Sequence, residues 1–315
     1  MVARGIHHVT AFCSSPQDNV DFYTLALGLR LVKRTVNFDD PTTYHLYYGN
    51  ADAAPGSILT FFPWPDAARG RIGAGQVIAT AYAIPDGSLE VWAERLAELG
   101  TGSGAVTKRF DEQVLALSDV DGLPLELVES TVMKNAQPWS TSDVGTDIAP
   151  RAFHSVTLAS VAPRETERVL QAVLGMSQIG MEDDRCRFAF AVGDDSAVDV
   201  IRHERDSRTG TGTVHHVAFR VPDEAAQAKI GRAAGEAGLY VTPVRDRKYF
   251  RSIYFREPGG ILFEVATDGP GFFIDETDES LGTDLCLPDK YEHLRPTLEQ
   301  RLPPLETSRS FQPRP

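Results

Sequence analysis

Imidazole and carboxylate groups recur at matched places along this chain. GIHHVT (residues 5–10) and TVHHVAF (213–219) each set two adjacent histidines, His7-His8 and His215-His216, in a run of β-branched and apolar residues. GGILFEVAT carries one acid, Glu264, in a similar run. Two imidazoles and one carboxylate form a ligand set suited to Fe(II) or Mn(II), with open positions left for O2 and an oxygen-bearing substrate. Side chains alternate across a strand, so adjacent histidines are expected to face opposite ways. His215 then shares the apolar face of Val217 and Phe219, and His216 the face of Ala218 and Arg220. Likewise His7 goes with Val9 and Ala11, and His8 with Thr10 and Phe12. The alternation therefore predicts His8 and His216 on an open, concave face, with His7 and His215 behind them as supporting neighbours. Glu264 faces away from Phe263 and Val265, and an acid in such a strand is costly to bury unless paired or metal-bound. In RSIYFRE the same rule puts Tyr254 beside His216 and Glu264.

Four similar units supply the strands that carry these groups. Each opens on a strand (GIHHVTAF, QVIATAYAI, AFHSVTLAS, TVHHVAFRV), continues into a short amphipathic helix, and stops that helix at Gly28, Gly100, Gly175 or Gly238. Ser15-Pro16, Ser88 and Asp223 are the N-terminal signals of three of the helices. Short alternating runs follow each helix, so every unit reads β-α-β-β-β. The expected fold class is α+β, with four such units paired into two domains built on curved, concave mixed sheets. The polar stretch 131–150 marks a boundary between an N-terminal domain (1–135) and a C-terminal domain (150–270). An arm, 271–315, follows; it is expected to pack on the body or on a neighbouring copy, with TSRSFQPRP disordered.

The other two units serve as controls. In AFHSVTLAS, His154 has the register of His7, and Ser155 stands where a ligand would be, so His154 is expected to be structural, on the face of Val156 and Leu158. Glu126 in DGLPLELVE resembles Glu264, but its partner strand VIATAYAI has no histidine, and no metal is expected there. His45 in TTYHLYYG is a candidate for the wall of the site.

Composition narrows the function class. The net charge of −13 on 315 residues argues against nucleic acid or an anionic membrane as partner. No apolar run approaches a bilayer span, and the N-terminus enters a strand pattern without a signal-peptide core, so a cytoplasmic location is expected. Three widely spaced cysteines, Cys13, Cys186 and Cys286, suggest buried free thiols rather than disulfides or a zinc site.

Taken together, these units resemble the vicinal oxygen chelate superfamily, which includes glyoxalase I, extradiol ring-cleaving dioxygenases and antibiotic-resistance proteins. The resemblance is closer to its hydroquinone-type ring-cleaving dioxygenases. It runs through GIHHVTAF, VDFYTLALGLRLVKRTVNFDDPTTYHLYYG, GSILTFFPWP, TVHHVAFRV, YFRSIYFREPGGILFEVATDGPGF and the late LG…L.LP…YE..R pattern. It implies His8, His216 and Glu264 as ligands of Fe(II), with Mn(II) as the alternative. It also implies His7, Thr10, His215, Arg247 and Tyr254 as pocket residues, of which Arg247, Tyr254 and His215 are the candidate catalytic groups. Ser155 departs from the catechol-type layout, whose first ligand lies in the third unit. The implied function is extradiol-type cleavage of a hydroquinone-like ring by O2. The alternatives are a glyoxalase-like metal-dependent isomerase or lyase and a non-enzymatic aromatic-binding protein. The implied partners are a small aromatic substrate and O2, and the arm suggests a homodimer or higher homo-oligomer.

Overall fold

In a computed structural model, residues 2–130, 136–193, 195–307 and 311 are described. Part of the expected boundary segment (131–135) and most of the tail (308–310 and 312–315) lie outside the described residues.

All four units have the expected order. The first is β1 (Ile6–Cys13), α1 (Pro16–Asp21) running into a π-helical turn (Phe22–Ala26), β2 (Arg30–Val36), β3 (Tyr44–Gly49) and β4 (Ile58–Pro63). The second is β5 (Gln76–Ile84), α2 (Leu89–Glu98), β6 (Ser103–Arg109), β7 (Glu112–Ser118) and β8 (Pro124–Glu129). The third is β9 (Phe153–Ser160), α3 (Pro163–Ala172), β10 (Ser177–Glu182), β11 (Arg185–Ala189) and β12 (Ala197–Arg202). The fourth is β13 (Thr213–Val221), α4 (Glu224–Glu236), β14 (Arg245–Asp246), β15 (Arg251–Arg256) and β16 (Leu262–Thr267).

Local chemistry explains the helix ends. The Ser15 and Asp223 side chains accept from the backbone N–H groups of Asp18 and Ala226. Ser88 makes no such cap; the Glu129 carboxylate takes the Leu89 N–H instead. The four stop glycines all have positive φ, between 65° and 81°, where a side chain would be strained.

The strands form two eight-stranded curled sheets. One runs β14-β15-β16-β13-β1-β4-β3-β2 and the other β10-β11-β12-β9-β5-β8-β7-β6. The first unit therefore pairs with the fourth, and the second with the third. Neither sheet falls within 1–135 or 150–270, the division expected from chain order. All four units share one pattern, and a shared pattern cannot say which first-strand edge will pair with which. The outer faces of both sheets and helices α2–α4 share one apolar core, including Val9, Phe219, Trp92, Leu170 and Ile230.

The arm packs on its own chain. Its α5 (Arg295–Arg301) follows a segment that lies against β2. There fully buried Lys33 pairs with Asp275, 2.7 Å away, and with Glu276. Phe311, near the end of the tail expected to be disordered, packs against Phe22. Among the described residues no helix is long and apolar enough to cross a membrane. None of the three cysteines is in a disulfide; Cys13 and Cys286 are buried and Cys186 is half-buried.

Candidate metal centre

The pairing of unit one with unit four brings β1 against β13, with Thr10 opposite His216. On the other side of β13, parallel β16 sets Glu264 opposite Ala218. His8, His216 and Glu264 meet on the concave face, all buried. Glu264 Oε2 lies 2.8 Å from His216 Nε2 and 3.3 Å from His8 Nε2, and the two nitrogens are 3.2 Å apart.

Hydrogen-bond polarity defines what this trio can hold. The Thr267 carbonyl can only accept, so His7 Nε2 donates to it at 3.1 Å. Burial, followed by the neighbouring His8, holds His7 well below the ordinary imidazole pKa, so it is neutral and its Nδ1 is bare. His8 Nδ1–H donates to that atom at 2.9 Å, so Nε2 is the His8 nitrogen turned into the trio, and it is the one that can ligate. His216 has the same kind of neighbour, its Nδ1 being 2.7 Å from His215 Nδ1. Ser252 Oγ–H donates to Glu264 Oε1, while Oε2 is buried with no hydrogen-bond partner. Three possible ligand atoms therefore converge on one point. The donor set of two imidazoles and one carboxylate fits a divalent transition metal.

The neighbours His7 and His215 do not lie behind the sheet. Between Ile6 and His8, β1 advances two residues while β13 advances one, and the reverse happens on β13 opposite Thr10 and Ala11. His7 and His215 are the extra residues of β-bulges, and a bulge suspends alternation. His7 consequently turns to the concave side, its ring 4.9 Å from Phe250, and exposed His215 lines the cavity. His154 is bulged in the same way on β9, between Phe153 and Ser155, and so leaves the face of Val156 and Leu158. A signal for this was present in the sequence. Ile6 and Val9, Val214 and Val217, and Phe153 and Val156 are apolar pairs three residues apart, which strict alternation cannot put on one face.

A cavity of ≈ 240 Å³ opens above the trio. Thr10, Arg247 and Tyr254 line it, as expected, and so does His45. Arg247 Nε–H donates to the Tyr254 hydroxyl at 3.2 Å, and its Nη2 pairs with Asp39 at 3.0 Å. Burial opposes the Arg247 charge, but Tyr254 and Asp39 more than offset it, so the group remains a cation. Burial and then the charge of Glu264 raise the Tyr254 phenol, which stays protonated. Across the cavity runs a buried chain that the sequence did not reveal. Tyr47 OH lies 2.8 Å from His45 Nδ1, His45 Nε2 lies 2.8 Å from Thr60 Oγ1, and Thr60 Oγ1 lies 2.9 Å from Thr10 Oγ1. Burial also holds His45 well below the ordinary imidazole pKa.

The second sheet has the acid but not the site. Glu126 sits opposite Ala81 as Glu264 sits opposite Ala218. There Arg109 pairs with Glu126, Arg185 and Arg187 pair with Asp199, and His154 bonds Glu112 at 2.8 Å. Guanidinium groups take the place that a metal would hold, and His154 is satisfied within that network.

The comparisons agree with this geometry. Residues 5–127 and 153–265 match the family described as Glyoxalase/Bleomycin resistance protein/Dioxygenase superfamily. Among curated relatives, the Bacillus subtilis (strain 168) protein named "Putative ring-cleaving dioxygenase MhqO" is 46% identical over 303 residues, 96% of each chain. The chlorohydroquinone/hydroquinone 1,2-dioxygenase of Sphingobium indicum is 35% identical over 306 residues, 94% of each. A solved structure from Bacillus subtilis subsp. subtilis str. 168, named "putative dioxygenase", superposes with a TM-score of 0.94 at 45% identity, covering 97% of this chain and 98% of that one. Glyoxalase I from Zea mays shares the fold, with a TM-score of 0.62 at 14% identity over 84% of this chain and 93% of its own. Four β-α-β-β-β units on two curled sheets and a family match over most of the chain lead to one assignment: this protein belongs to the glyoxalase/bleomycin resistance protein/dioxygenase superfamily.

Proposed function

We propose that this chain is a non-haem Fe(II)-dependent dioxygenase that opens a hydroquinone-like ring with O2, at the bond between a hydroxyl-bearing carbon and its neighbour. Mn(II) has the same ligand preferences. The observation that carries the reading is the convergence of His8 Nε2, His216 Nε2 and the unpartnered Glu264 Oε2 at the floor of an aromatic-walled cavity. Relatives named as ring-cleaving and hydroquinone dioxygenases support it. When bound, the metal supplies a Lewis acid for the substrate hydroxyl and a path for electrons between ring and oxygen.

The chain's own residues do the rest. Phe12, Phe62 and Phe250 wall the cavity and exclude water from a bound ring. Arg247 offers a cation to oxygen atoms that gain negative charge, and its bond to Tyr254 aims the phenol. The Tyr254 phenol, being protonated, can donate. Thr10, Thr60, His45 and Tyr47 can pass a proton along their chain, each accepting one and giving one. Both oxygen atoms of O2 enter the product, so no further reductant is needed.

Anaerobic loading with Fe(II), followed by oxygen uptake with hydroquinones and with catechols, tests the proposal. Uptake with a hydroquinone, lost in Glu264→Ala, is the expected result. No uptake with any dihydroxybenzene would refute it and favour an isomerase or a binding protein.

A further inference from the structure

A second cavity adjoins the metal cavity and is larger, ≈ 450 Å³ against ≈ 240 Å³. The two share Phe12, Asn37 and Phe62 as lining. Both phenyl rings are only half-buried, as expected of a partition with space on either side. Phe12 lies 6.2 Å from Phe62 and 5.3 Å from Trp64, ring centre to ring centre. Trp64 is 49% exposed, a large apolar surface left bare at the edge of a functional cavity. Beyond the partition the walls are Pro16, Tyr44, Pro63 and Trp64 of the body and Leu302 and Pro303 of the C-terminal arm.

The arm is fixed in that position. Tyr44 OH donates to the Pro303 carbonyl at 2.9 Å. Gln17 and Glu306 exchange two bonds of 2.8 Å, Gln17 Nε2–H to the Glu306 carbonyl and Glu306 N–H to Gln17 Oε1. Leu298 and Leu302 are buried. Among the described residues the charged groups of the lining are Asp40 and Asp66, with no Lys or Arg. Among the described residues an anionic group would meet two carboxylates and no counter-ion, whereas a neutral group would meet proline, leucine and aromatic carbon beside the uncharged side chains of Asn37, Thr42 and Thr43.

We propose that this second cavity is a substituent subsite, closed by the C-terminal arm, which takes a neutral apolar group carried on a ring bound over His8, His216 and Glu264. The proposal rests on the ring-cleavage reading for the identity of the ring, and it makes alkyl- or aryl-substituted hydroquinones the preferred substrates. Phe12 and Phe62 stand between the two cavities and turn aside to admit the group, and Trp64 and Leu302 set the preference. A single methylene held in a fitting apolar pocket is worth roughly 10-fold or more in discrimination, so a tert-butyl group should be clearly preferred over hydrogen.

The test compares hydroquinone, tert-butylhydroquinone and 2,5-dihydroxybenzoate on the Fe(II)-loaded full-length protein, by anaerobic binding titration and then by kcat/KM in air. Tert-butylhydroquinone should bind tightest and the carboxylated ring weakest. Trp64→Ala and Leu302→Ala should each weaken the tert-butyl compound by about 10-fold or more and leave unsubstituted hydroquinone nearly unchanged. Trp64 is exposed, so its variant keeps the test valid even if Leu302→Ala fails to fold. Equal weakening of both neutral compounds, or no preference for the substituted ring, overturns the proposal. Selective anaerobic binding without any oxygen uptake would leave the subsite standing and sink ring cleavage. Uptake without selectivity would do the reverse.

Discussion

His7 touches no metal in this arrangement, yet its replacement should weaken metal binding. The polarity of its chain fixes the tautomer of His8: the Thr267 carbonyl accepts from His7 Nε2, and His7 Nδ1 accepts from His8 Nδ1. In His7→Phe the acceptor is gone. A metal on His8 Nε2 would then require a buried Nδ1–H with no partner, a penalty of about 1–3 kcal/mol. At 1.4 kcal/mol per decade this is roughly a 5- to 150-fold rise in Kd, in line with the ~10- to 100-fold typical of groups that orient ligands. His7→Gln offers an amide oxygen to His8 and an amide N–H to Thr267, so its Kd should stay within about 3-fold of wild type, well inside the lower bound of that penalty. The assay is anaerobic competition for Fe(II) against a chromophoric chelator, with melting of the metal-free proteins as a control for folding. A His7→Phe protein that folds and binds Fe(II) as wild type does, or a His7→Gln protein as weak as His7→Phe, would refute the polarity reasoning.

Three further outcomes are expected. Tyr47→Phe and Thr60→Val should each lower kcat by up to about 100-fold, and the double variant should be no slower than the worse single variant because the links act as a unit; additive losses would dissolve the chain. Lys33→Met strands the Glu276 carboxylate in the interior, and urea denaturation should read a loss of about 3–5 kcal/mol, partly recovered by adding Glu276→Gln. In the second sheet, burial would raise the Glu112 carboxyl, but His154 and then Arg187 lower it from 4.5 to about 2. A depressed acid stabilises the fold above its unfolded value and loses that contribution as pH falls. The Tm gap between wild type and Glu112→Gln should accordingly be full above pH 4.5 and vanish near pH 2; a gap that widens with acid would contradict the assignment.

Much of the site was legible because local chemistry is periodic. Four glycine stops, two cap residues and alternating apolar runs gave the units, since each depends on neighbours a few residues away. Alternation also picked His8, His216, Glu264 and Tyr254 for one face, and the family resemblance added Arg247 and Thr10 to the cavity. It misplaced His7, His215 and His154, because a bulge inserts one residue and resets the count.

The sequence by itself determined the repeating unit, the candidate ligand types and the strand face on which they stand, since these follow from backbone periodicity and side-chain chemistry. Only the tertiary structure decided that unit one closes against unit four, because pairing is a contest between edges of similar pattern. That choice brings β1 and β13 together across more than 200 residues of chain and converges His8 and His216 on Glu264. It also leaves Glu126, the sequence look-alike of Glu264, in a sheet where Arg109 neutralises it. An unpaired carboxylate and a paired one differ in what surrounds them in space, which no pattern along the chain contains.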